Sequence, residues 1–216
     1  MLTFHGSHEL KDQRIAQVRA HRLADQLVKG VYWEDGKGCA VGCTIHSGRH
    51  EDYETELGIP VELAFLEDSI FESLPNGKAL MWPEQFLESI PVGVDLRATH
   101  INKRFVLALL TDERRGLIPR LEDGDEKREA LELAGFLREG IAEAAPTAAP
   151  QKITDRADLA YLADLADLAY LAYLADLADL AYLAYRADRA YRAEILLEVL
   201  AASAPTTSQR RTGTAK

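Results

Sequence analysis

Apolar and polar positions follow a helical period over most of the first 145 residues. Leu10, Ala16, Ala20, Leu23 and Leu27 share one stripe, Ser7 stands where an N-cap belongs, Glu9 falls in the first turn and Gly30 supplies a stop. This pattern predicts a helix from about His8 to Lys29. Val31-Tyr32-Trp33 breaks the period and reads as a strand, Glu34 to Gly38 as a turn, and Cys39 to Ile45 as the returning strand of a small hairpin. The helical period resumes after Pro60, where Leu63, Leu66, Ile70 and Leu74 form a buried stripe that Pro75-Asn76-Gly77 ends. Trp82-Pro83 starts a short helix ending near Ile90, Asp95 caps one containing Phe105 to Leu110, and Asp125 to Ala145 forms a charged amphipathic helix.

The pattern changes at Pro146 and Pro150, which flank small residues and neither continue a helix nor build a core. From Ala157 to Arg192 the chain consists of triplets of Ala, then Asp or Tyr, then Leu or Arg, and neither Gly nor Pro occurs between Lys152 and Ser203. A continuous helix is the local expectation. Three residues advance about 300° on such a helix, so the leucines wind around the rod and leave no fixed seam. The predicted fold class is mainly α: a helical domain at 1–145 with one small β-hairpin, a Pro/Ala linker at 146–152, a long Ala/Leu/Tyr/Asp repeat helix at 153–203 and a disordered tail at 204–216. Exposed Leu and Tyr on all sides of the rod favour self-association through 157–200.

Composition narrows the partners. The net charge of −10 opposes attraction to nucleic acid or to an anionic membrane. No basic-then-apolar leader and no unbroken apolar run of membrane-spanning length occurs, so a cytoplasmic protein is expected. The acidity concentrates between Glu51 and Glu72, which hold eight carboxylates and no Lys or Arg. That run motivates one function class, an acidic mimic of nucleic acid that occupies a basic partner.

Candidate chemistry centres on Cys39, Cys43, His46 and His50, since thiolate and imidazole are natural zinc ligands. On a strand the two cysteines lie about 13 Å apart and alternate with core positions, so they form neither a disulfide nor a four-ligand centre. On a helix the four residues spread over about 16 Å of axis, too far for one ion, and the glycines disfavour that helix. The bland alternative makes the cysteines small buried hydrophobes and puts the histidines on the hairpin rim. A metal site of His46 and His50 completed by Glu54, or by Glu51 or Glu56, remains as an alternative with zinc as its ion. A Cys43/His46 nucleophile pair meets the objection that these residues face opposite sides of a strand. Asp68 and Glu72, one helical turn apart with Glu67 nearby, can share a cation or simply form a solvated face. A tight turn explains Gly36-Lys37-Gly38 better than a phosphate cradle does.

The run Gly38-Cys39-Ala40-Val41-Gly42-Cys43-Thr44-Ile45-His46-Ser47, with Tyr53, Glu56-Leu57-Gly58-Ile59-Pro60, Leu66-Glu67-Asp68 and Ile70-Phe71-Glu72, resembles a family of bacterial and phage-encoded proteins without an assigned activity. The likeness spans roughly residues 1–112. It implies a phage- or mobile-element-associated setting and transfers no catalytic or binding residue. Together these observations lead to a non-enzymatic accessory or interaction protein with a protein partner and no cofactor. A metal-dependent hydrolase around His46 and His50 is the runner-up.

Overall fold

The computed structural model describes residues 1–142 and 189–204. The expected linker at 146–152, most of the repeat helix and most of the tail lie outside these residues. Eight α-helices and one two-stranded antiparallel sheet occur among the described residues, so the mainly helical architecture with a small hairpin holds. The chain separates into two compact units, Met1–Thr99 with the residues from Leu197 on, and His100–Leu196.

In the first unit, Ser7 caps α1 (His8–Leu23) as expected, its hydroxyl accepting from the Leu10 N–H at 3.1 Å. The helix ends six residues earlier than predicted. Asp25 turns left-handed at φ 54°, and the backbone beyond it goes to Gly38 instead: Val28 N–H donates to Gly38 O and Gly38 N–H to Gln26 O. Leu27 is thereby buried while Leu23, on the same predicted stripe, is exposed.

The hairpin is shorter than its sequence suggests. β1 (Trp33–Glu34) pairs with β2 (Lys37–Gly38) around Asp35-Gly36, both at positive φ, which the primed two-residue turn requires. The predicted returning strand is a helix, α2 (Ala40–Ile45). Its glycines are not helix breakers here but clearance: a Cβ on Gly42 would stand 1.7 Å, and one on Gly38 2.3 Å, from the Tyr32 carbonyl oxygen. The crossing backbone is tied down by Cys39 N–H, which donates to Val31 O at 2.7 Å. Burial of all six α2 residues offsets a helix-propensity cost of about 1 kcal/mol for glycine.

α3 (Asp52–Leu57) stops at left-handed Gly58, and α4 (Val61–Ser73) begins after Pro60. The stripe Leu63, Leu66, Ile70 and Leu74 is buried, as its spacing predicts. Glu62 and Glu67, which flank that stripe, are buried too, while Phe65, Asp68 and Glu72 on the opposite face keep partial exposure. α5 (Asn76–Ser89) runs straight through Trp82-Pro83, which the sequence places at a helix start; Pro75 is its N-cap. Trp82 anchors α5 on α4 by donating its indole N–H to Glu67 O at 2.9 Å, within a core of Tyr53, Leu57, Ile59, Phe71 and Phe86.

In the second unit, α6 (Ile101–Thr111) begins after left-handed His100. Asp95 does not cap it, since its carboxylate accepts from the Arg97 and Ala98 N–H groups. α7 (Asp125–Ala142) brings Ala134 and Leu137 onto Leu110, with Val106, Leu107, Leu117, Ile118 and Leu133 around them. The final helix, α8 (Arg189–Ala201), offers Tyr191 to the guanidinium of Arg115, 5.1 Å from the ring, and Glu194 to the same Arg at 2.6 Å. No helix among the described residues is long and apolar enough to cross a membrane.

Candidate metal centre

Three elements of the first unit converge on one point. Cys39 occupies the N-cap of α2, His50 sits in the loop between α2 and α3, and Asp68 lies in the middle of α4. One ligating atom from each lies within 4.8 Å of the other two. Cys39 is 1% and His50 6% exposed, so the three are sheltered from competing water.

His50 Nε2 lies 3.3 Å from Asp68 Oδ2, yet neither His50 Nε2 nor Asp68 Oδ1 has a hydrogen-bond partner, although both atoms are buried. Such atoms cost about 1–3 kcal/mol each when left unmet, more if charged, and native proteins seldom leave them so. Their ring and chain positions are not loose. The imidazole stacks on Phe65, with centroids 4.6 Å apart and planes 3° apart, and Tyr32 meets it edge-on at 5.3 Å.

The electrostatics favour a cation. Burial, then the charge and hydrogen bonding of Asp68, with a smaller contribution from Glu67, push the Cys39 thiol pKa far up. The isolated site therefore holds a protonated thiol, a poor nucleophile. A divalent ion reverses this balance, because it stabilises the thiolate and compensates Asp68 at once. Sulfur, imidazole nitrogen and carboxylate oxygen form a donor set that suits zinc. Tetrahedral coordination places such donors about 3.3–3.7 Å apart, against the 4.8 Å within which the three atoms lie.

Glu67, the neighbour of Asp68, points elsewhere: its Oε2 accepts from the Tyr53 hydroxyl at 2.6 Å, and its Oε1 is buried without a partner. Burial drives its pKa well up, against the lowering contribution of Tyr53.

The residues singled out from the sequence distribute as follows. His50 enters the centre. His46 instead meets His21, Nε2 to Nε2 at 2.7 Å, and stacks on Trp33. Glu54 pairs with Arg97 through both carboxylate oxygens, and Glu56 with Arg14 at 3.0 Å. Cys43 is a buried thiol donating to Gly38 O at 3.4 Å, and Glu72 accepts from the Gly30 N–H. His46, His50 and Glu54 are thus drawn to three separate places. Both cysteines are free and buried, though at the N-cap and in the body of α2 and not by strand alternation. The union of Cys39, His50 and Asp68 escaped sequence reasoning because no spacing rule links an N-cap, a loop and a helix across thirty positions. The sequence singles out Asp68 only through its pairing with Glu72, one helical turn away.

No family model matches the chain, and searches of curated proteins and of solved structures also return no match.

Proposed function

We propose that the Met1–Thr99 unit is a metal-dependent hydrolase domain, holding one zinc-like divalent ion on Cys39, His50 and Asp68. The reading rests on one observation: three ligand types of matching chemistry converge in a sheltered place where His50 Nε2 and Asp68 Oδ1 lack partners. Three protein ligands leave a fourth position for water, the composition of catalytic zinc sites. The bound ion would supply Lewis acidity and a water acidified towards neutrality. Cys39, His50 and Asp68 hold and orient it, while Phe65 and Tyr32 fix the His50 ring.

The depth of the site favours a second reading, an ion that only braces a non-enzymatic interaction protein. Cobalt substitution of the untagged full chain separates the two. An open position shifts the visible cobalt spectrum when azide is added, whereas a closed structural site does not respond. The hydrolase reading further expects zinc-dependent cleavage of an activated ester or phosphodiester that Asp68→Asn abolishes. Protein purified with zinc that retains less than a tenth of an equivalent would remove both readings.

A further inference from the structure

A pair of imidazoles, away from the buried centre, is built around the tryptophan of the hairpin. His21 belongs to the last turn of α1, and His46 is the left-handed C-cap of α2 at φ 54°. Their Nε2 atoms are 2.7 Å apart, with ring planes at 87°. His21 Nδ1 lies 2.7 Å from Gln26 Oε1, an atom that only accepts. His21 Nδ1 therefore carries hydrogen and its Nε2 presents a lone pair, so the hydrogen between the rings sits on His46 Nε2. An imidazole whose far nitrogen donates to a carbonyl oxygen while its Nε2 keeps the lone pair is in the tautomer of a metal ligand. Trp33 holds both rings, stacked on His46 at 4.6 Å and 14° and edge-on to His21 at 5.5 Å.

We propose that His21 and His46 form a surface site for a tetragonal divalent ion, Cu²⁺ first and Ni²⁺ next. The separation carries the choice of ion. Two nitrogens each about 2.0 Å from a metal and cis in a square plane stand about 2.8 Å apart, close to the observed 2.7 Å, whereas tetrahedral zinc needs about 3.3 Å. Copper also tops the affinity order for nitrogen ligands. On binding, the hydrogen bond between the rings breaks: the His46 hydrogen passes from Nε2 to Nδ1 through solvent, and the rings turn so that both Nε2 lone pairs meet at the ion. The exposed edge of His46 leaves room for water in the remaining positions. The cationic neighbour, Arg14 on α1, is engaged by Glu56 at 3.0 Å and by the Thr44 and Gln17 oxygens, so its charge is compensated.

Trp33 makes the site observable, because a bound copper ion beside it quenches its fluorescence, while Trp82 lies buried in the core between α4 and α5. The full chain, first given one equivalent of Zn²⁺ for the buried centre, is titrated with CuCl₂. We expect saturable quenching at one equivalent and an electron paramagnetic resonance spectrum with superhyperfine coupling to two nitrogens. His21→Gln and His46→Asn, the latter chosen because Asn tolerates the left-handed backbone, should each lose the saturable quenching and one nitrogen coupling. Gln26→Leu should weaken binding about tenfold by releasing the outer partner of His21. Cys39→Ser with Asp68→Asn should leave the copper signal intact, which keeps this site's outcome independent of the hydrolase reading. Quenching that persists in both histidine variants, or a spectrum without two nitrogens, overturns the proposal.

Discussion

The eight-carboxylate run from Glu51 to Glu72 ends in two contrasting places. Glu54 and Glu62 converge on Arg97, whose guanidinium reaches both oxygens of each, so their charge is answered by a side chain of the same protein. Asp68, on the same helix as Glu62, faces a neutral thiol and an imidazole that makes no hydrogen bond to it. Both places are acidic and partly buried, and only one contains its own cation. A dense acidic run is thus not a single surface feature. Part of it is internal electrostatic structure, paired with Arg97, and part belongs to the cluster of Cys39, His50 and Asp68 that we propose as a metal site.

The contrast can be broken from either side. The largest effect should come from the scaffold of the metal side: Gly42→Ala places a Cβ inside the Tyr32 carbonyl, and the backbone must shift. We expect a loss above about 3 kcal/mol, measured by urea unfolding, with metal retention lost as well. On the other side, Arg97→Leu should cost about 2 kcal/mol. That is less than the 3–5 kcal/mol of a fully buried pair, because Arg97 is 41% exposed. Its pH signature follows from Glu54, whose pKa is lowered first by hydrogen bonding to Arg97. A carboxylate with a depressed folded pKa contributes stability above its unfolded value near 4.5 that is lost as pH falls through the folded one. The acid limb of the unfolding midpoint, followed from pH 7 to 3, should therefore be shallower in Arg97→Leu than in the parent.

Smaller effects sharpen the comparison. Burial pushes the Cys43 thiol pKa up to about 12, against 9.0 as its ordinary value. The unfolded chain ionises this thiol first, so stability holds below pH 9 and falls by up to about 1.4 kcal/mol per pH unit above it. Cys43→Ala should remove that contribution to the alkaline slope of the melting temperature. Asp68→Asn should give the smallest change in metal-free protein, within about 1 kcal/mol and towards greater stability, because it discharges a largely buried carboxylate whose donor is the neutral Cys39 thiol and not a cation. Glu62→Gln, by contrast, should destabilise, since its carboxylate already has Arg97.

Much of the scaffold was legible from local signals. Ser7 caps α1, Pro60 precedes α4, and Leu63, Leu66 and Ile70 are buried because i, i+3 and i+4 spacing leaves one stripe to bury. What failed were signals whose meaning depends on distant atoms. Gly38 and Gly42 looked like strand and turn residues, but a carbonyl six and ten positions earlier demands them. Pro83 looked like a start, yet α5 tolerates it in mid-helix. Within the site, the sequence points to His50 and, separately, to Asp68, and weighs Cys39 as a zinc ligand before spacing favours a packing role for it. Only tertiary structure brings the three together.

The Tyr32 carbonyl lodged against Gly38 and Gly42 has a consequence for how this protein can vary. The glycines contact the backbone of residue 32 and not its ring, so the path of the chain is insured against whatever side chain stands there. That ring is 62% exposed and leans over His50. Position 32 is accordingly a place where the rim of the centre can be rewritten without redrafting the framework beneath it.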